Sequence, residues 1–271
     1  MLRLHPIHSL DLPELQPYRT MRQQLEHRQQ QIFIAEGEKV VRRLLESRLT
    51  VVSVLLPEKW LQLLEPVLRA RPEEIEVFVA EKDVLEQLTG FSMYQGLLAM
   101  GRVPRRATLA EVLASSAQPL LLTAVDSLSN AENLGVLVRN AAAFGVQALL
   151  VSETSSSPYL RRAVRSSMGT IFQMPVVELE NLALALAELR QRQVRCIAAH
   201  PHASGKVLSQ ADLRQGTCIV LGSEGHGISP GVLAACDEAV AVPMSAGVDS
   251  LNVGSASAVF FYEANRQRGR T

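Results

Sequence analysis

Residues 218–229 read Cys-Ile-Val-Leu-Gly-Ser-Glu-Gly-His-Gly-Ile-Ser. The apolar run from Cys218 to Leu221 is short and uninterrupted, as expected of a strand covered on both faces in a parallel sheet. It breaks at Gly222 into a turn with three glycines, Gly222, Gly225 and Gly227, which lets backbone come close to a ligand. The spacing is neither that of the dinucleotide fingerprint nor that of a phosphate loop. Ser223, directly after Gly222, does not form a nucleophile elbow either. Glu224 at the tip reads equally as a solvated turn carboxylate and as a site residue.

Working outward from this strand, similar apolar runs occur at 120–125, 148–152, 194–199 and 239–242, separated by helical patterns. Such βα alternation predicts an α/β fold with a mostly parallel sheet covered on both faces. Upstream, a polar helix is expected from Pro17 to Gln30, followed by strand 31–35, helix 37–47, strand 50–56, helix 58–70, strand 75–80, helix 81–88 and strand 95–103. The reading is therefore a small α/β domain at 1–104, a connection at 105–118 holding one short helix at 109–114, and a second domain at 119–271.

Composition narrows the function. The 271 residues carry 27 basic and 27 acidic side chains, so bulk electrostatics do not coat nucleic acid with this protein. Any RNA contact must be local, at clusters such as Arg19, Arg22 and Arg28 or Arg161, Arg162 and Arg165. Each cluster alone reads first as a solvated face. Three widely spaced cysteines, Cys196, Cys218 and Cys236, suggest buried reduced thiols rather than a disulfide frame or a metal site. No apolar run suits a membrane span or signal peptide, so a soluble cytoplasmic protein is expected.

Two further segments leave strands and enter helices, where open α/β sheets hold ligands. The first runs from Asp126 to Gly145. Asn133 reads there as a helix N-cap. Arg139 lies off the apolar stripe Leu134, Leu137, Val138, Ala141, and an arginine so placed suits a phosphate or carboxylate. The second runs from Val242 to Glu263, with a helix expected to start at Asp249 or Ser250 and Ser250 as its cap. The small-faced run Gly254-Ser-Ala-Ser-Ala258 permits close backbone packing against a ligand, another subunit or a tightly wound chain.

Together, in this order, the three segments resemble the SpoU (TrmH-like) family of RNA 2′-O-ribose methyltransferases within the SPOUT superfamily. Asn133, Gly135 and Arg139 match NxGxxxR; Gly222, Glu224, Gly225 and Gly227 match GxEGxG; Pro243, Met244, Ser250, Leu251, Asn252 and Val253 match the proline-methionine and SLNV elements. Arg165-Ser-Ser167-Met-Gly169 is a lesser match. Ala131 stands where the family often has proline. Residues 22–46, with Phe33-Ile-Ala-Glu36-Gly37, are similar to the ribosomal-protein-like RNA-binding domain that precedes many relatives.

The resemblance implies a deep trefoil knot in the second domain, a homodimer formed through it, and S-adenosyl-L-methionine as cofactor. It implies catalytic roles for Arg139, Asn133, Glu224, Ser250 and Asn252, and cofactor contacts at Gly222, Val242, Met244, Leu251 and Val253. Arg165, Arg22 and Arg28 are the expected substrate contacts. RNA, ribosomal before transfer, is the expected substrate, with no metal and no membrane partner. The competing readings are a non-catalytic RNA-binding protein of the same fold and a hydrolase using Ser250, His226 and Asp249.

Overall fold

The computed structural model describes residues 1–88, 96–203 and 206–270, which form two compact units. The first comprises 1–105 with 159–173, the second 106–158 with 174–270.

In the first unit, strands β1 (Leu2–Ile7), β2 (Ile32–Glu36), β3 (Val51–Leu56), β4 (Ile75–Ala80) and β5 (Leu98–Arg102) form one sheet in the order β1-β4-β3-β5-β2. β1, β4 and β3 run parallel, and β5 is antiparallel to both β3 and β2. Ile34, Leu55, Phe78 and Leu98 supply its buried core. Here the buried Tyr18 hydroxyl meets Ser53 Oγ at 2.7 Å.

Sequence reasoning omitted β1. Its pattern Leu-Arg-Leu-His-Pro-Ile is largely exposed, and Pro6 suits an edge strand that lacks one partner. The expected 17–30 helix is two pieces, Gln16–Arg19 and Gln24–Gln30, because Tyr18 and Met21 turn into the core around the break. Of the strand expected at 95–103, Gln95 lies outside the described residues.

Residues 159–173, read from sequence as part of the second domain, cluster with the first unit. Phe33 holds them: its ring lies 5.7 Å from that of Tyr159 and 5.3 Å from that of Phe172. Gly101 makes the space, since a Cβ there would sit 2.5 Å from Phe33 Cζ.

In the second unit, β6 (Leu121–Asp126), β7 (Ala148–Ser152), β8 (Val176–Leu179), β9 (Arg195–Ala199), β10 (Thr217–Gly222) and β11 (Glu238–Val240) form a wholly parallel sheet ordered β11-β9-β10-β6-β7-β8. β8 was missed from sequence because only its first two residues are fully buried. One core joins Leu122, Ala124 and Val220 to Leu186 of helix Leu182–Gln191 and Val232 of helix Pro230–Ala235. Residues 105–118, expected as a connection, belong partly to this core. Leu109 and Val112 of helix Leu109–Ser115 are buried in it, and Thr108 and Glu111 cap that helix reciprocally.

The helices Ala131–Ala143 and Val253–Gln267 pack on each other. A Cβ on Gly254 would come within 2.6 Å of Val136 Cγ1, and Asn140 Nδ2 donates to the Gly254 carbonyl at 2.7 Å and to Ser257 Oγ at 3.1 Å. The small residues after Ser250 are thus what allows this close crossing. Among the described residues no helix is long and apolar enough to cross a membrane.

Candidate active site

β6 and β10 lie side by side, with Asp126 in register with Gly222 at their carboxyl ends. Each strand feeds one side of the site.

Beyond β6 the chain turns through Ser127, whose φ of 55° is unusual for a side chain-bearing residue. Asn130 then starts the helix Ala131–Ala143, its Oδ1 accepting from the amides of Glu132 at 2.9 Å and Asn133 at 3.2 Å. The expectation that Asn133 is the N-cap is corrected: Asn130 satisfies the first amides. Asn133, inside the first turn, is left with its side chain facing outward.

Beyond β10 the glycine turn is closed by two backbone hydrogen bonds, Ser223 N–H to Gly227 O at 3.0 Å and Gly227 N–H to Ser223 O at 2.9 Å. Gly222 is obligatory here, since any Cβ would overlap the Gly227 carbonyl. The far end of the turn is pinned by Asp126, a buried carboxylate that accepts the Ser229 amide at 2.7 Å. Glu224 is therefore presented at the tip of a rigid loop.

The third segment begins its helix at Val253, not at 249 or 250, and its cap is Asn252 rather than Ser250. Asn252 Oδ1 accepts the Gly254 amide at 2.9 Å, which turns Nδ2 toward the other two segments. It donates to Glu224 Oε1 at 2.7 Å and to Asn133 Oδ1 at 3.1 Å, while Asn133 Nδ2 donates to the same Glu224 oxygen at 2.5 Å. One carboxylate oxygen thus gathers amides from both neighbouring segments. Glu224 makes no ion pair among the described residues.

Beside this cluster lies a cleft of about 300 Å³. Gly222, Val242, Met244, Leu251 and Val253 line it, as do Ser250, Asp249, Glu224 and His226. His200-Pro201-His202, which sequence reasoning did not single out, forms another part of its wall. Its signal was position alone: it directly follows β9, at the same sheet end.

Arg139 is exposed and stands apart from the cleft lining, on the face opposite the buried Leu134, Leu137, Val138 and Ala141. It has no hydrogen bond or ion pair among the described residues. A guanidinium in that state keeps all five donors for an incoming group. Arg22, Arg28 and Arg165 are not in this cluster; they belong to the first unit, where all three are exposed. Among the described residues no group of His, Cys, Asp and Glu is arranged to hold a metal ion.

The profile of the SpoU rRNA Methylase family matches residues 121–262. An uncharacterized tRNA/rRNA methyltransferase of Mycobacterium tuberculosis is 34% identical over 239 residues, covering 87% of this chain and 81% of that protein. A crystal structure of an RNA 2′-O ribose methyltransferase superposes with a TM-score of 0.78 at 26% identity, over 98% of this chain and 99% of that one. The SpoU methyltransferase AviRb of Streptomyces viridochromogenes, solved with AdoMet, gives a TM-score of 0.82 at 22% identity, over 95% and 98% of the two chains.

Proposed function

Because this chain belongs to the SpoU rRNA methylase family, we propose that it is an RNA methyltransferase that uses S-adenosyl-L-methionine and modifies a ribose 2′-hydroxyl, in ribosomal RNA before transfer RNA. The observation that carries this reading is the joining of Asn133, Glu224 and Asn252 by hydrogen bonds at the rim of the cleft.

The cleft fits the cofactor on chemical grounds. Its volume is at the lower end for small-molecule sites. The carboxylates of Glu224 and Asp249 on its wall suit a ligand bearing a sulfonium and an ammonium. Val242, Met244, Leu251 and Val253 supply the apolar surface. When bound, the cofactor supplies an electrophilic methyl group on sulfur.

The chain's own task is to bring a weak nucleophile into line and stabilise it as its proton passes to solvent water. Arg139 takes that role: its unpaired guanidinium holds the RNA phosphate beside the target and stabilises the developing alkoxide. A guanidinium stays protonated, so it acts by charge rather than as the base. Asn133, Glu224, Ser250 and Asn252 orient the ribose and the cofactor.

The same reading includes a cytoplasmic homodimer with a trefoil-knotted second domain. The knot is supported by β10 lying between β6 and β9. Dimerisation is supported by partly exposed apolar side chains on the two packed helices, Val136, Val259 and Tyr262.

Transfer of labelled methyl from S-adenosylmethionine to RNA from cells lacking the gene, followed by mapping of the product, tests the proposal. Arg139→Ala is expected to lower transfer by roughly a hundredfold or more. Full transfer by that variant overturns its role, and a methyl group on a base overturns the ribose assignment.

A further inference from the structure

Glu36 ends strand β2, directly before Gly37, whose φ of 90° turns the chain into helix Glu38–Glu46. Its carboxylate, 16% exposed, serves two arginines one helical turn apart on Arg161–Ser166. Oε2 pairs with Arg161, itself only 15% exposed, while Oε1 lies 3.5 Å from Arg165, which is 62% exposed.

The two contacts are unequal, and one negative charge cannot neutralise both partners. Arg161 is dehydrated and committed to Glu36. Arg165 touches the carboxylate at the edge of bonding distance and keeps most of its donors in water. Nearby positive charge adds to the surplus. Arg43 donates to the Met168 carbonyl at 2.8 Å at the end of the same segment, and Arg162 is exposed with no ion pair among the described residues. The negative charge is thus buried beneath the arginines, where it orients more than it cancels.

We infer that Glu36 is a positioning residue for the RNA: anchored by Arg161, its carboxylate holds Arg165 so that the guanidinium presents its outer edge to a backbone phosphate. This rests on the RNA reading given above. A planar fork recognises a phosphate only in the right orientation, and a side chain already held there loses less freedom on binding.

The test uses the full-length protein and bulk ribosomal RNA from cells lacking the gene, with binding measured between 50 and 200 mM salt, conditions over which phosphate contacts are read as a slope of about one per contact. Arg165→Ala is expected to lower RNA affinity roughly tenfold and to reduce the salt slope by about one. Glu36→Gln raises KM for RNA by a similar factor and leaves kcat and cofactor affinity unchanged. Glu36→Asp keeps the charge for Arg161 but withdraws it from Arg165, so it gives the same KM effect even where Glu36→Gln proves too unstable to assay. The double variant Glu36→Gln/Arg165→Ala binds no worse than Arg165→Ala alone, because one residue acts through the other.

An unchanged KM in both Glu36 variants, or effects that multiply in the double variant, overturns the inference. Methyl transfer that occurs alongside multiplying effects removes this inference and leaves the proposed function. A coupled pair in RNA binding with no methyl transfer does the reverse.

Discussion

Asn133 and Glu224, 91 residues apart in sequence, meet through a 2.5 Å hydrogen bond from amide Nδ2 to carboxylate Oε1, and Asn252 donates to the same oxygen. Both bonds are charge-assisted, the stronger class in proteins. Glu224→Gln keeps the shape and one acceptor but removes the charge. Methyl transfer is expected to fall roughly 10- to 100-fold, the equivalent of about 1.5–3 kcal/mol for a hydrogen bond to a charged group, with the fold intact by circular dichroism.

Gly254 sits against Val136 where two helices cross. Gly254→Ala places a Cβ at 2.6 Å from Val136 Cγ1, and overpacking of this kind costs about 1–3 kcal/mol. Val136 is partly exposed, so its truncation costs little. The double variant Gly254→Ala/Val136→Ala is therefore expected to melt above Gly254→Ala alone, a non-additivity that differential scanning calorimetry reads directly.

Arg268 ends the last helix by donating to four carbonyls, of Leu213 at 2.8 Å, Leu120 at 2.9 Å, Gln215 at 2.6 Å and Pro119 at 3.3 Å. Burial lowers its pKa from the ordinary arginine range, yet it remains protonated at neutral pH. Arg268→Lys keeps the charge without the fork that reaches these carbonyls. Both Arg268→Lys and Arg268→Ala are expected to lower stability in urea, by about 1–3 kcal/mol, with alanine the worse.

The thiols are protected by the same burial that places them. Cys236 is pushed up to about 12, chiefly by burial, and Cys218 is raised by its hydrogen bond with Cys196 and then by burial. At pH 8 the native protein therefore holds Cys218 and Cys236 as thiols, not as the reactive thiolates. Iodoacetamide is expected to leave the native chain unlabelled over a period that fully labels it in urea, as mass spectrometry will show. Raised folded values also fix the sign of the pH effect. Their stabilising contribution is present below the ordinary thiol value of 9.0 and is lost toward about 12, so the melting temperature should fall above pH 9.

Much of this architecture is legible in the sequence. Buried strands announce themselves by unbroken apolar runs, and β4 at Ile75–Ala80 and β7 at Ala148–Ser152 fall at the residues expected. Edge strands do not: β1 carries Arg3, His5 and Pro6 because only one side needs a partner. Cap positions were shifted by three residues at Asn133 and two at Ser250. Local preference recognises asparagine or serine near a helix start but cannot tell which one the tertiary structure leaves for the cap. At the second position the two demands coincide, since Asn252 caps its helix with one amide atom and reaches Glu224 with the other. The ion pair of Glu36 with Arg161 joins residues 125 apart in the chain and had no local signature at all.

The place of β10 in the second sheet bears on how the chain is made. β9 and β6 touch only through β10, and the other neighbour of β9, β11, comes later in the chain. As synthesis proceeds from the amino end, β6, β7 and β8 can associate at once, whereas Arg195–Ala199 emerges with nothing to pair with until residues 217–222 have left the ribosome. An apolar strand with both edges bare is a template for association with other nascent chains. The growing polypeptide therefore passes through an interval of vulnerability that ends when a single strand is delivered, and that strand is the one carrying the glycine turn.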